Sequence, residues 1–243
     1  GFESNVIDTE AMLRRLPKNC LGIIYGSSMS VYGNQEQNNI SEISPYRADT
    51  PLAQSRIDVE RLITAYAQKH GIWSMHLRPR FIVGEGDHFF LPGLHKLFKR
   101  SISIGDGAQQ FNIIDVGDYA NIVLSLAKHI QGEQYPQQTA LNIGYEQPVC
   151  LRDIENVLCS TSLLPRFRIP VSTKLIKFLK FVLPRSSGLC EKLALLGYSH
   201  VGDVRKLKCF IGSKIIGRNP LTRIAAASER LRSPQRSALA ETL

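Results

Sequence analysis

The sequence predicts an α/β protein, a parallel sheet whose strands alternate with helices, followed by a smaller, mostly helical lobe. Three observations lead there. Two short apolar runs, CLGIIYGSS from Cys20 and WSMHLRPRFIVG from Trp73, flank a helix-patterned segment, which is the order of a βαβ unit with its right-handed crossover. Past Val149 the strand-like runs give way to amphipathic segments, LRDIENVLCS and STKLIKFLKFVL, punctuated by Pro165, Pro170 and Pro184. Charge divides in the same place: residues 1–150 carry 13 Lys/Arg against 15 Asp/Glu, and residues 151–243 carry 17 against 6.

Taken in order, NVIDTEAMLRRL has acids early and arginines late, as a helix dipole favours, with Val6, Ile7, Met12 and Leu13 as its apolar positions. A helix is expected over about residues 5–15. CLGIIYGSS is rich in β-branched and aromatic residues and closes in Gly and Ser, so it reads as a buried parallel strand opening into a loop that runs to about Asp49. Asp49 or Thr50 then caps a helix with Pro51 in its first turn. Ile57, Leu62, Ile63, Ala65 and Tyr66 carry it to His70, and Gly71 stops it. WSMHLRPRFIVG is the second strand. A helix near Leu91–Arg100, an FNIIDV strand, a helix over Gly117–His129 and an LNIGY strand complete the α/β part. The expected division is 1–149 for the sheet domain, 150–232 for the helical lobe and 233–243 for a flexible polar tail.

A chain of 243 residues with 43% hydrophobic content is long enough for a full core. It lacks a run of about 18 apolar residues, and Lys174, Lys177 and Lys180 interrupt its most apolar C-terminal stretch, so no spanning helix is expected. With no basic–apolar–small signal pattern at the start, a soluble, cytoplasmic protein is expected. Five cysteines, an odd number without a C-x-x-C pair, argue for reduced thiols. His88 and His95 lack a third ligand, so no metal site is expected. The basic C-terminal part points to an anionic partner. Its basic residues are not interleaved with aromatics, which argues against nucleic acid. The Lys174–Lys180 segment keeps three readings: a lobe helix facing a diphosphate together with Arg166 or Arg168, an interfacial helix on anionic lipid, or a solvated lysine stripe.

Several motifs then occur in a fixed order: NVIDTEAML, IIYGSSMSVYG, TPLAQSRIDVE, LRPRFIVGEGD, NIIDVGDYA and LNIGYEQPV. In that order they resemble the extended short-chain dehydrogenase/reductase superfamily, which holds the NAD-dependent sugar epimerases and dehydratases. IIYGSSMSVYG resembles the S-S-x-x-V-Y-G signature, and TPLAQSRIDVE resembles the P-Y-x-x-S-K-x-x-x-E helix. The resemblance implies the C-terminal portion of a Rossmann-like parallel sheet, with residues 1–149 as a partial NAD(P)-binding domain and 150–232 as a substrate lobe.

The resemblance places Ser28 at the catalytic Ser/Thr, Leu52 at the catalytic Tyr and Arg56 at the catalytic Lys. The chemistry of that pair is clear: a phenol with a pKa of about 10 needs a neighbouring cation to exchange a proton near neutrality. Spacing of four puts both side chains on one helix face. Leu52 has no exchangeable proton, and the planar Arg56 guanidinium is no equivalent of an ammonium. Loss of such a group costs roughly 10² to 10⁴ in rate. Tyr25, Tyr32 and Tyr46 are near in sequence, none at the motif position.

The resemblance further implies NAD or NADP contacts at Ser27, Arg56 and Pro79–Arg80–Phe81–Ile82–Val83. Substrate contacts follow at Phe89, Lys96, Phe111 and Asn112, for a nucleotide-sugar type of ligand. Phe81 stands where many galactose-type epimerases carry a substrate-binding Asn, which brings the hydroxysteroid-dehydrogenase-like branch into view. No G-x-x-G-x-x-G turn for a pyrophosphate occurs in these residues. The expectation is an impaired NAD(P)-dependent nucleotide-sugar epimerase, dehydratase or reductase. Its alternative is a binding or assembly protein on the same fold. A homodimer through helices 5–15 and 51–69 is implied in either case.

Overall fold

The computed structural model describes residues 2–133, 135–161, 169–174 and 195–231. Arg166, Arg168, most of the Lys174–Lys180 segment and the expected tail at 233–243 lie outside these residues. Helix α1 (Phe2–Leu13) leads to strand β1 (Gly22–Gly26), a 3-10 turn (Met29–Tyr32), β2 (Gln37–Ile40) and the long helix α2 (Pro51–His70). There follow β3 (Trp73–Pro79), β4 (Phe81–Val83), α3 (Phe90–Lys99), β5 (Ile102–Ile104), β6 (Gln110–Phe111), β7 (Ile113–Asp115) and α4 (Val116–Gly132). The rest comprises β8 (Gln138–Ile143), β9 (Val149–Cys150), α5 (Leu151–Thr161), β10 (Ile169–Val171), β11 (His200–Gly202), α6 (Arg205–Ile211), α7 (Ser213–Ile216) and α8 (Pro220–Leu231).

Strands β1, β3 and β8 pair in parallel, in the order β1-β3-β8. The central strand β3 is buried along its whole length. Its sequence nevertheless alternates, with Trp73, Met75 and Leu77 on one face and Ser74, His76 and Arg78 on the other. The apolar face enters the main core with Leu126, Leu141 and Ile143. The polar face is covered by α2, where Glu60 and Thr64, one helical turn apart, meet Arg78 and His76. A strand buried on both sides thus keeps a period of two because one covering helix supplies polar partners.

Helix α2 forms where the sequence places it. The Thr50 hydroxyl accepts from the Ala53 N–H at 3.1 Å, Pro51 occupies the first turn, and Gly71 ends the helix at φ 63° in the left-handed region. The cap contributes about 1 kcal/mol. Asp49 instead accepts from the Asn34 backbone and pairs with Arg47. Helix α1 lies against α2, with Leu13 packed on Ile23, Val59 and Ile63.

Three segments differ from the sequence reading. The expected loop up to Asp49 contains the 3-10 turn and β2, which pairs with β11 more than 150 residues later. WSMHLRPRFIVG is two strands: β3 pairs with β8 and β4 with β7, and Arg80 between them has a place in neither ladder. FNIIDV also divides, at Asn112, whose buried amide accepts from Gly202 N (2.6 Å) and donates to Tyr145 O (3.0 Å). Past Val149, helices predominate among the described residues, and Leu151, Leu158, Leu207 and Ile224 join the same core cluster as the sheet.

Candidate active site

A cleft of about 450 Å³ opens at the carboxyl ends of β1 and β3, where parallel sheets characteristically place ligands. Ser27 and Ser28 line it directly after β1, and Arg56 enters from α2. Pro79 to Val83 form the facing wall, and the largely exposed Phe89 stands at the margin. The cleft therefore gathers Ser27, Ser28, Arg56, the 79–83 segment and Phe89 from the sequence-derived candidates. Leu52, one turn before Arg56 on the same helix, is half-buried and is not part of the lining. Lys96 is exposed further along α3. Phe111 is fully buried in the core and Asn112 spends its amide on Gly202 and Tyr145, so neither faces the cleft.

The two serines differ in what remains free to bind. Ser27 Oγ donates to Glu60 Oε1 at 2.5 Å, so its proton is committed. Ser28 Oγ accepts from Ser30 N at 3.1 Å, capping the 3-10 turn, which leaves its own O–H available to a ligand.

Behind Ser27 lies a buried polar network. Glu60 and Arg78, 0% and 3% exposed, form a two-bonded ion pair, through Arg78 Nε to Oε1 at 3.0 Å and Arg78 Nη2 to Oε2. Tyr46 OH donates to Glu60 Oε2 (2.7 Å), Arg78 Nη1 donates to Tyr32 OH (2.8 Å), and Tyr32 OH donates to Asn142 Oδ1 (2.9 Å). Burial alone would raise the Glu60 pKa, but the hydrogen bonds and charge of Arg78, with Ser27, leave it lowered. Sequence reasoning quoted Glu60 and Arg78 within TPLAQSRIDVE and LRPRFIVGEGD without giving either a task. The signal was an acid and a base in two segments bound to pack together.

The tyrosines near the cleft are poorly suited to proton exchange. Burial pushes Tyr32 and Tyr46 up to about 12, and it raises Tyr25 as well. For an acid working near neutrality, each shift is in the wrong direction.

The model of the NAD dependent epimerase/dehydratase family matches residues 1–144, more than half of the chain. The chain belongs to that family. Solved structures agree in fold. A UDP-galactose 4-epimerase superposes with a TM-score of 0.70 at 18% identity, over 95% of this chain and 70% of that one. A UDP-glucuronic acid 4-epimerase from Bacillus cereus in complex with NAD gives 0.68 at 17%, over 94% and 68%. A UDP-glucose-4-epimerase from Stenotrophomonas maltophila with bound NAD and formylated UDP-arabinopyranose gives 0.71 at 19%, over 100% and 71%. No curated protein sequence matches the chain. At these identities the neighbours establish a Rossmann-like α/β fold.

Family membership implies NAD or NADP, so the cleft can be tested for the ring end of that cofactor. Shape is suitable, since Pro79, Ile82 and Val83 supply an apolar wall and Ser28 a hydroxyl donor. Charge is not. Arg80 Nε is buried without a hydrogen-bond partner, and among the described residues neither Arg56 nor Arg80 has an ion pair. An oxidised nicotinamide ring is itself a cation, and Arg80 adds a second positive charge beyond the one that the catalytic Lys position already supplies through Arg56, which does not fit that ring. Among the described residues no group of three His, Cys, Asp or Glu gathers to hold a metal.

Proposed function

We propose that this family member is a nucleotide-sugar epimerase/dehydratase-type protein that retains its ligand cleft and is impaired in proton transfer. The observation that supports this reading is the pair Leu52/Arg56 on the cleft helix. An aliphatic side chain stands one turn before the cation, and Tyr25, Tyr32 and Tyr46 are all held above the ordinary phenol pKa. What the remaining residues do is bind and orient. Ser28 offers a hydroxyl proton, Arg56 is steadied by Ser30 Oγ at 3.0 Å, and the Glu60–Arg78 pair fixes Ser27 at the end of β1. NAD or NADP is the cofactor class by membership, held weakly in its oxidised form. The ligand class is a nucleotide sugar.

The test is turnover by the full natural chain with UDP-glucose or UDP-glucuronic acid, NAD supplied. The expected result is no conversion above background, with a gain of roughly 10² or more in the paired substitution Leu52→Tyr, Arg56→Lys. Conversion at ordinary enzymatic rates by the unaltered chain overturns the reading.

A second reading, assembly, is favoured by one feature. Ile7 is 65% exposed and Met12 45% exposed on α1, which packs beside α2. We propose a homodimer through the outer faces of α1 and α2, and solution mass measurement should report two chains. Ile7→Lys is expected to shift it to one. No described helix is long and apolar enough to cross a membrane. Cys20, Cys150, Cys159 and Cys209 form no disulfide, which supports a cytoplasmic setting.

A further inference from the structure

We infer that the cleft binds an anionic oxygen group, a carboxylate or a phosphate, between Arg56 and Arg80. Both side chains line the same cleft, Arg56 from α2 and Arg80 from the break between β3 and β4. The neighbours that Arg80 does have are uncharged. Its Nη2 donates to Asn34 Oδ1 at 3.0 Å and lies 3.3 Å from His200 Nε2, and its guanidinium sits over the Phe81 ring at 5.7 Å. Burial first, and then Arg80 itself, hold the His200 pKa well below the usual imidazole value, so it brings no charge. Arg80 Nε remains buried and unpartnered.

Arg56 is likewise held by a neutral group, Ser30 Oγ. Burial first, and then the charge of Arg56, lower the guanidinium of Arg80 to about 9, the direction expected for a buried cation beside a second one. Two acids also line the cleft: Asp87 accepts from the N–H groups of Phe89, Phe90 and Leu91 at the start of α3, and Glu85 is solvent-exposed. A cation pair that has no ion-pair partner among the described residues, in a half-enclosed space, is stabilised by an anion that accepts from the N–H groups reaching the cleft. Ser28 lines the same cleft with its hydroxyl proton unspent. The same arrangement repels a cationic ring, so the reduced, neutral nicotinamide is preferred over the oxidised one. The inference holds whether or not the chain turns over.

The test is calorimetric titration of the full chain at low ionic strength with inorganic phosphate and, separately, acetate, followed by NAD+ and NADH. One phosphate or acetate per chain is expected, the tighter of the two naming the group. Arg56→Gln and Arg80→Gln are each expected to weaken binding by about tenfold or more, since charge-assisted bonds carry that much. Lys69→Gln, at the far exposed end of α2, is expected to leave binding unchanged, and NADH should bind at least tenfold tighter than NAD+. Should Arg80→Gln not fold, Arg56→Gln and Arg80→Lys carry the same comparison, the lysine retaining most of the binding. Binding of neither anion, binding indifferent to the arginine substitutions, or equal affinity for NAD+ and NADH overturns the inference. Turnover by the unaltered chain with a normal anion response would refute impairment alone, and absence of both would refute this inference alone.

Discussion

Glu60→Gln is expected to cost about 3–5 kcal/mol of folding stability, the usual consequence of leaving one member of a buried ion pair uncompensated. The structure gives reason to expect the full effect. Glu60 has no exposed surface and its carboxylate accepts from Ser27, Tyr46 and twice from Arg78, so water cannot replace what the amide fails to do. For a chain of this size, that loss lowers Tm by roughly 6–20 °C. Urea unfolding at pH 7 followed by circular dichroism, with a thermal scan beside it, measures both. A pH series adds a signature specific to the charge. The lowered folded pKa of Glu60 means that its contribution is fully present above the unfolded value of 4.5 and is lost as pH falls through the folded value. Glu60→Gln should therefore lose its deficit relative to the unaltered chain in strong acid. A loss under about 1 kcal/mol at pH 7 would refute the reasoning, because it would mean that the pair is solvated.

Other outcomes follow from single contacts. His76, held down to about 4 chiefly by burial, is neutral when folded, so the unfolded chain takes up its proton first. Stability is expected to fall by about 3 kcal/mol as pH drops from 6.5 to about 4, and His76→Gln should flatten that slope in unfolding measured across the range. Gly22→Ala would place a methyl carbon 2.5 Å from Trp73 Cβ, so β1 must move, and urea unfolding should show a loss of about 1–3 kcal/mol. Tyr145→Phe removes the 2.7 Å bond to Asp118 Oδ2 and should cost about 1.5–3 kcal/mol by the same assay.

The sheet and its long helix were legible because local signals sufficed. Thr50, Pro51 and Gly71 mark the ends of α2, and the β-branched and aromatic run GIIYG marks β1. What escaped was set by distant pairing. QNNI has no strand pattern of its own and becomes β2 only because residues near His200 lie alongside it. The cleft was partly readable: Ser28 and Arg56 came from motif position, and the 79–83 segment from a resemblance. Phe111 and Asn112 were not separable from it by sequence, since a break inside FNIIDV turns both into the core. Two roles arise only in the folded chain, the commitment of Ser27 to Glu60 and the uncharged hydrogen-bond partners of Arg80. Neither hydrogen bonding nor counter-charge is visible in residue order.

The interruption at Arg80 has a further consequence. Since β3 ends its pairing at Pro79 and β4 begins its own at Phe81, the intervening position lies outside both ladders. Side-chain identity there is uncoupled from strand registration, while its side chain helps to set the cleft's potential. A substitution at that joint therefore alters the charge that faces the cleft without changing the pairing register of either strand.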